Sequence, residues 1–494
     1  MSTNMVWWTI AIYIIIALYI AYLSRSGKQN NMASYFIGDR KLNGFVSALS
    51  YSATTYSAFM LVGLAGLTYK GGVGAFGFEI IYFMGVSLVA FFGPRFWLVG
   101  KKYGYVTPSE MLGDRYDNKM VAVVVSITSC LFLIPYSAVQ LAGVGYLLQG
   151  MTNDAIPFTT GVVLATVLAI VFSFIAGIRS VAWTDSLQAL LMIITSTVVV
   201  LLIIKGLGGL GGFFDLLKTD QPESLTVPGN GFFSFTTFLG LTIPWFFFSL
   251  SNPQVSQRLF MPSSLKSLRY MLMGFLVFGF IYTIVSVVWG FSASLMFPDL
   301  ANADLATPKL LSSDLVPPIL GAIVMVGIMA AAISTIDSIL LTLSSLFARD
   351  IYGNLKNETD DQKQLFVGKV VIPVIAILAF LFAQLEVNLI AVLSVASSAG
   401  LIVAVPAIVG AFFWKRGTSA GVLTSVIGSG LMVILFELTN IKPLGLASGI
   451  WGIVVSSLLF IIVSLLTTAP EKKANEFLSY IKTELGKLKT VKTK

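Results

Sequence analysis

The sequence predicts an all-α polytopic membrane protein, and three observations carry that prediction. Hydrophobic residues make up 56% of the 494-residue chain. Charged residues make up 11%, against about 25% in a typical soluble domain. Mean hydropathy is +0.88, and apolar stretches long enough to cross a hydrocarbon core of about 30 Å recur along the whole chain. A soluble protein of this length could not cover its surface with so few charges, which excludes a soluble enzyme, a disordered chain and a disulfide-stapled domain. The chain has no histidine, which removes imidazole acid–base catalysis, imidazole metal ligation and an imidazole pH switch. The single cysteine, Cys130, can form no internal disulfide.

Taken in order, the apolar stretches fall near 6–23, 44–69, 74–100, 119–149, 156–177, 181–204, 232–252, 268–297, 316–348, 366–385, 389–413, 418–438 and 446–467. That makes thirteen expected spans. Helices are the expected form, because lipid offers backbone groups no partners and nothing alternates like a barrel strand. Residues 1–23 lack the basic start and small-residue cleavage site of a signal peptide and read as a retained first span. The loops give an independent check on the count. Even-numbered loops carry only Lys70, Lys205, Lys218, Lys309 and Lys442, while the odd loops and the tail hold the other 26 of the 31 basic residues. Arg25, Lys28, Arg40 and Lys41 lie in the first loop, and Arg95, Lys101, Lys102, Arg115 and Lys119 in the third. Positive charge marks the cytoplasmic face, so the N-terminus is expected outside and the C-terminus inside, in a plasma (cell inner) membrane. The tail 471–494 repeats Phe477, Ile481, Leu485 and Leu488 at helical spacing. It reads either as a solvated basic tail or as a helix lying on anionic lipid, and neither reading implies a nucleic-acid partner.

Polar groups at membrane depth are costly and therefore point to function. The second span reads Ser50-Tyr51-Ser52-Ala53-Thr54-Thr55-Tyr56-Ser57, then Gly63-Leu64-Ala65-Gly66. The hydroxyls could bond back to their own helix, or the helix could be unwound with its carbonyls facing a cavity; the density of the cluster favours the second. In the ninth span Ala331, Ser334, Thr335 and Ser338 share one helical face, bordered by Asp337. Hydroxyls beside a carboxylate suit a hard cation, against the plainer reading of a small-residue packing seam. Asp185, at the start of the sixth span, reads equally as a helix cap. Glu79 lies in the first turns of the third span and could face the external mouth. The seventh span ends in the polar break Ser249-Leu250-Ser251-Asn252-Pro253-Gln254.

The two breaks open two blocks of five spans, and an odd number inverts the second block relative to the first. The expected organisation is a first helix and loop (1–43), one five-helix repeat (44–206), an external linker (207–231), an inverted repeat (232–413), two peripheral helices (414–470) and the basic tail (471–494). Paired interruptions in inverted halves are the mark of a LeuT-like transporter with its site near the midplane.

In the order found here, Tyr35-Phe36-Ile37-Gly38-Asp39-Arg40, Gly63-Leu64-Ala65-Gly66, Trp183-Thr184-Asp185-Ser186-Leu187-Gln188, Asn252-Pro253-Gln254-Val255-Ser256-Gln257-Arg258 and Ala331-Ala332-Ile333-Ser334-Thr335 make the chain resemble the sodium:solute symporter family. The family includes sodium/proline, sodium/sialic acid, sodium/pantothenate and sodium/galactose transporters. The resemblance implies a LeuT-like fold and a sodium ion held by the carbonyls of Ala53, Tyr56 and Ala331 and the hydroxyls of Ser334 and Thr335. The sialic acid branch adds a second sodium; the corresponding positions here are Ser334, Asp185, Asp337 and Ser338. Asp337 replaces a serine of that branch and is equally a place for a proton, which leaves the count at one or two ions. Solute contacts are expected from Thr54, Thr55, Ser57, Glu79 and Asn252. Thr55 stands where proline-type members have aspartate. Glu79 and Asn252 align with a galactose-type glutamate and asparagine, yet no lysine in 270–297 completes a sugar site.

The expected function is sodium-coupled import of a small polar organic solute by a monomer. Alternatives are a proton-coupled symporter of the same fold, a channel or a membrane sensor. A channel would show a repeated pore or filter, a sensor would need a signalling domain larger than the 24-residue tail, and no P-loop points to ATP.

Overall fold

The computed structural model describes residues 1–23, 31–386 and 389–492; Arg25 and Lys28 lie outside the described residues, as does the side chain of Leu488. Among the described residues the molecule is helical throughout. One isolated parallel bridge joins Leu42 to Pro262. In chain order the principal helices are α1 (Thr3–Leu23), α2 (Gly44–Thr55), α3 (Phe59–Gly71), α4 (Gly74–Tyr103), α5 (Lys119–Met151), α6 (Phe158–Gly206), α7 (Phe235–Phe246), α8 (Leu265–Met296), α9 (Pro318–Ser345), α10 (Asp361–Ala383), α11 (Ile390–Phe413), α12 (Ser419–Thr439), α13 (Ser448–Leu466) and α14 (Glu471–Lys492).

Local chemistry sets many of the starting points. Asn43 accepts from Val46 N at 2.9 Å to cap α2, and Ser264 accepts from Ser267 N at 3.0 Å to cap α8. α9 begins at Pro318, in the first helical position, where a missing N–H costs nothing.

By length and composition, ten helices among the described residues are able to cross a membrane, or eleven when α2 and α3 count as one bent span. The protein is thus a multi-pass membrane protein. The expected thirteen includes two stretches that fall short of this measure, the apolar helices Phe158–Phe174 and Phe235–Phe246. The first of these is also not separate: α6 runs as one helical segment of 49 residues through both the fifth and sixth expected spans. The connector 175–180 holds one glycine and no proline, so nothing in it obliges the helix to stop.

Both expected breaks are present. α2 and α3 meet at a bend of 50°. There Tyr56 leaves helical geometry (φ −94°, ψ 83°), and Ser57 Oγ accepts from Phe59 N at 3.2 Å to start α3. After α7 the chain makes one short turn (Phe248–Ser251) and becomes extended at Asn252 (φ −86°, ψ 110°), before Pro253 opens another turn. A residue before proline is pushed out of the helical region, so the Asn252-Pro253 pair causes this break directly.

α9 is the enclosed centre, buried without interruption from Val324 to Leu346, and packs on α5 and α6; α2 lies against α6, α8 and α9. Two glycines let helices approach the breaks. A Cβ at Gly279 of α8 would lie 1.9 Å from the Tyr56 hydroxyl, and one at Gly85 of α4 would lie 2.0 Å from the Phe246 carbonyl oxygen.

The tail forms α14, but its apolar face is not free for lipid. Phe477 and Ile481 are buried, Phe477 stacks on Tyr103, and Lys473 pairs with Asp114 at 2.7 Å. The helix thus docks its apolar face on the protein itself, while Lys472, Lys482 and Lys487 stay exposed.

Because backbone cannot yield as a flexible side chain can, Gly85→Ala is expected to cost about 1–3 kcal/mol. Thermal unfolding of the purified protein in detergent should show a lower midpoint. Gly77→Ala, whose Cβ would make only an ordinary 3.4 Å contact with Phe238, should leave the midpoint unchanged.

Candidate functional site

The face of α9 predicted from its spacing meets the broken end of α2. Thr335 Oγ1 donates to the Ala53 carbonyl at 3.0 Å, in the last turn of α2 where carbonyls run out of helical partners. One turn along, Ser338 Oγ lies 3.2 Å from Thr54 Oγ1. Ala331 precedes Thr335 by one turn and is buried, and Tyr56 follows Ala53 at the break. Four of the five expected sodium ligands thus lie at or beside one contact. The fifth, Ser334, turns its hydroxyl toward α6 and donates to Asp185 Oδ1.

Asp185 is not a helix cap. It lies within α6, fully buried, and Ser50 Oγ donates to its Oδ2 at 3.0 Å. Its charged partner is Arg258, whose Nη2 lies 3.7 Å from Oδ2. The same guanidinium donates to Ser50 Oγ and to Ser338 Oγ, each at 2.5 Å. Two of the four residues expected around a second sodium, Asp185 and Ser338, are therefore bridged by a built-in cation. The third, Asp337, accepts from Ser173 Oγ at 3.0 Å and lines a small cavity with Thr184, Gln188 and Ser334.

The expected solute residues are all buried. Thr55 Oγ1 bonds back to Tyr51 O at 2.9 Å and Ser52 Oγ to Ala48 O at 2.8 Å, so the back-bonding reading holds for these two hydroxyls. Glu79 does not open on an external mouth: its side chain is enclosed, and Trp245 Nε1 donates to its Oε2 at 3.4 Å. Asn252 Oδ1 accepts from Ser251 Oγ at 3.1 Å, while its Nδ2 has no partner. Outside the spans, Asp304 Oδ2 accepts from Ile390 N at 3.0 Å at the start of α11. Burial pushes this carboxyl up to about 7, against the pull of the Ile390 and Leu389 N–H groups.

Sequence reasoning assigned no role to Arg258, Ser50, Ser173, Trp245 or Gln140. Arg258 was one more positive charge in an odd loop; the available signal was its place four residues after a buried-looking Gln254, in a run too polar and too short on charge for an exposed turn. Gln140, buried on α5 with neither side-chain atom partnered, carried no sequence signal beyond being an amide inside a span.

Two interrupted helices that bring carbonyls and hydroxyls together inside a membrane define the class: a secondary transporter. The chain belongs to the sodium:solute symporter family, which matches residues 35–429, and it is a sodium-coupled symporter. It is 28% identical to the sodium/pantothenate symporter of Haemophilus influenzae over 429 residues, covering 85% of this chain and 88% of that one. It is 25% identical to the sodium/proline symporter of Staphylococcus aureus over 507 residues, covering 98% and 95%. Its fold superposes on a substrate-bound, outward-open sodium-coupled sialic acid symporter with a TM-score of 0.76 at 21% identity, covering 94% of this chain and 97% of that one. The fold is LeuT-like, as the paired breaks implied.

Removing one member of a buried ion pair strands the other, at a cost of about 3–5 kcal/mol. Arg258→Met and Asp185→Asn should each lower the thermal midpoint sharply. The double variant should be more stable than the sum of the two losses allows, and additive losses would show that the two charges do not act as a pair.

Proposed function

We propose that the chain imports a small polar organic solute together with sodium by alternating access. The ion is held by the carbonyls of Ala53, Tyr56 and Ala331 and the hydroxyls of Ser334 and Thr335. The observation that carries this reading is the 3.0 Å contact between Thr335 Oγ1 and Ala53 O: a hard cation placed there meets oxygen donors from both the broken helix and the central one. Sodium would bind best when α2 and α9 are held together, and by that difference in affinity it would bias the transporter toward one arrangement. The solute lies beside it, against Thr54, Thr55, Ser57, Glu79 and Asn252. A second ion at Asp185, Asp337 and Ser338 would have to share that space with Arg258. The thirteen-span arrangement, with the N-terminus outside and the C-terminus in the cytoplasm, is supported by the skew of basic residues. The protein acts as a monomer in the plasma membrane, without a nucleic-acid partner.

Uptake into proteoliposomes should require an inward sodium gradient. Equal uptake with potassium in place of sodium, at zero proton gradient, would sink the coupling. Thr335→Ala should raise the sodium concentration for half-maximal uptake by about tenfold, equivalent to roughly 1.4 kcal/mol, with the protein still folded; an unchanged value would remove Thr335 from the site.

A further inference from the structure

A groove of about 590 Å³ lies between α11 and α13, lined by Val405, Val409 and Phe413 on one side and Ile453 and Ile461 on the other. Val409, Phe413 and Ile461 are exposed, so the groove opens outward, toward lipid. Ser457, the one hydroxyl among the described lining residues, bonds back to the Ile453 carbonyl at 2.6 Å and offers a ligand little. The side of the groove formed by Val405–Phe413 is nine residues of helix, about 14 Å long. That is close to the depth of one leaflet of a hydrocarbon core about 30 Å thick. A hydrocarbon tail is what such a surface meets in a membrane.

One end of the groove is cationic. Arg95 stands eight residues before the end of α4, about 12 Å along the helix. Its guanidinium lies 4.1 Å from the ring centre of Phe91 and 4.8 Å from that of Phe413, both exposed, and it donates to the Phe91 carbonyl. Lys415 and Arg416 follow Trp414, which also lines the groove. Arg416 Nη2 donates to the Leu465 carbonyl at 3.0 Å, one turn beyond Ile461. Behind the same end Arg115, fully buried, donates to the carbonyls of Ala411 and Trp414 at 3.1 and 3.0 Å. Among the described residues no carboxylate pairs with any of these four cations. Arginine inside a spanning helix is costly unless it is paired or reaches the headgroup layer. A phosphate matches its planar fork of donors, and the ring faces hold that fork in place.

We infer that this groove binds one anionic phospholipid of the leaflet that the skew of basic residues marks as cytoplasmic. Its tail lies along Val405, Val409 and Ile453, and its phosphate meets Arg95, Lys415 and Arg416. Charge complementarity selects the headgroup, because a zwitterionic lipid brings its own ammonium among unpaired cations. It also argues against a second copy of the chain: a two-fold contact at this face would set the same cations against each other. The groove extends to Phe247, where the short turn before the second break begins, so the tail packs against that break whatever solute is carried.

The test is native mass spectrometry of the delipidated full-length protein in detergent, titrated with dioleoyl phosphatidylglycerol or with dioleoyl phosphatidylcholine. The tails are the same, so the comparison isolates the headgroup. One phosphatidylglycerol should be retained per chain, with an apparent affinity about tenfold or more above that of phosphatidylcholine. Replacing Arg95, Lys415 and Arg416 together by glutamine should abolish this preference. Arg95→Gln alone, a change on the lipid-facing surface, should cut it by about threefold and serves should the triple variant fail to fold. Val409→Trp, which fills the groove, should displace both lipids. Equal retention of the two lipids by the wild type, or a preference that Arg95→Gln leaves intact, overturns the inference. So does competition by glycerol phosphate at equal concentration, which would mark a site for free phosphate. Dimers that hold no lipid and that Val409→Trp splits would give the face to a second copy and overturn it as well.

Discussion

A guanidinium and a carboxylate held out of water join four separate segments of this chain. Asp185 belongs to α6, and Arg258 to the turn that follows the second break. Their shared hydrogen bonds reach Ser50 on α2 and Ser338 on α9. No other described ion pair is so deeply buried: the remaining six have side chains at least one-fifth exposed. In a hydrocarbon setting such a pair is tolerable only when its spare donors and acceptors are also met, and here serines from two further helices meet them. The pair therefore fixes where the broken helix α2 stands relative to α9, and with it the distance between Ala53 and Thr335 on which the proposed ion site depends.

The breaks follow from the same shortage of partners. A helix in a membrane satisfies its own backbone, and once interrupted it needs oxygen or nitrogen from elsewhere. At the first break Ser57 caps the start of α3 and Thr335 meets Ala53. At the second, Asn252-Pro253 makes the interruption unavoidable and leaves the amides of Asn252 and Gln254 buried with free hydrogen-bonding atoms. The proposed ion and solute sites lie at these two breaks, where helices lose their own backbone partners.

Much of this was legible in the sequence because its causes are local. Hydroxyl density and Asn-Pro announced the two breaks, and 3.6-residue spacing put Ala331, Ser334, Thr335 and Ser338 on one face. What stayed hidden depends on distant segments. Arg258 looks like a loop charge until α6 is packed against it, and Asp185 looks like a cap until α6 proves continuous through Phe158–Gly206. That continuity also means that no break in the helix marks the boundary between the fifth and sixth expected spans. The docking of the tail stayed hidden for a similar reason: a row of apolar residues at helical spacing needs a surface to cover, and the row does not say whether that surface is lipid or the protein's own Tyr103 and neighbours.

Three buried acids, Glu79 in α4, Asp185 in α6 and Asp337 in α9, have three different fates, and the difference bears on their work. Asp185 owns a resident cation in Arg258 and so has least need of a mobile one; its role is to hold helices. Asp337 has a hydroxyl from Ser173 and a small polar cavity, which suits a proton or an ion passing at low occupancy of charge elsewhere. Glu79 has one long bond from an indole and a wall of rings. Uncompensated charge is the most costly thing a membrane interior can contain, and the acid with the fewest internal partners is the one that stands among the proposed solute contacts.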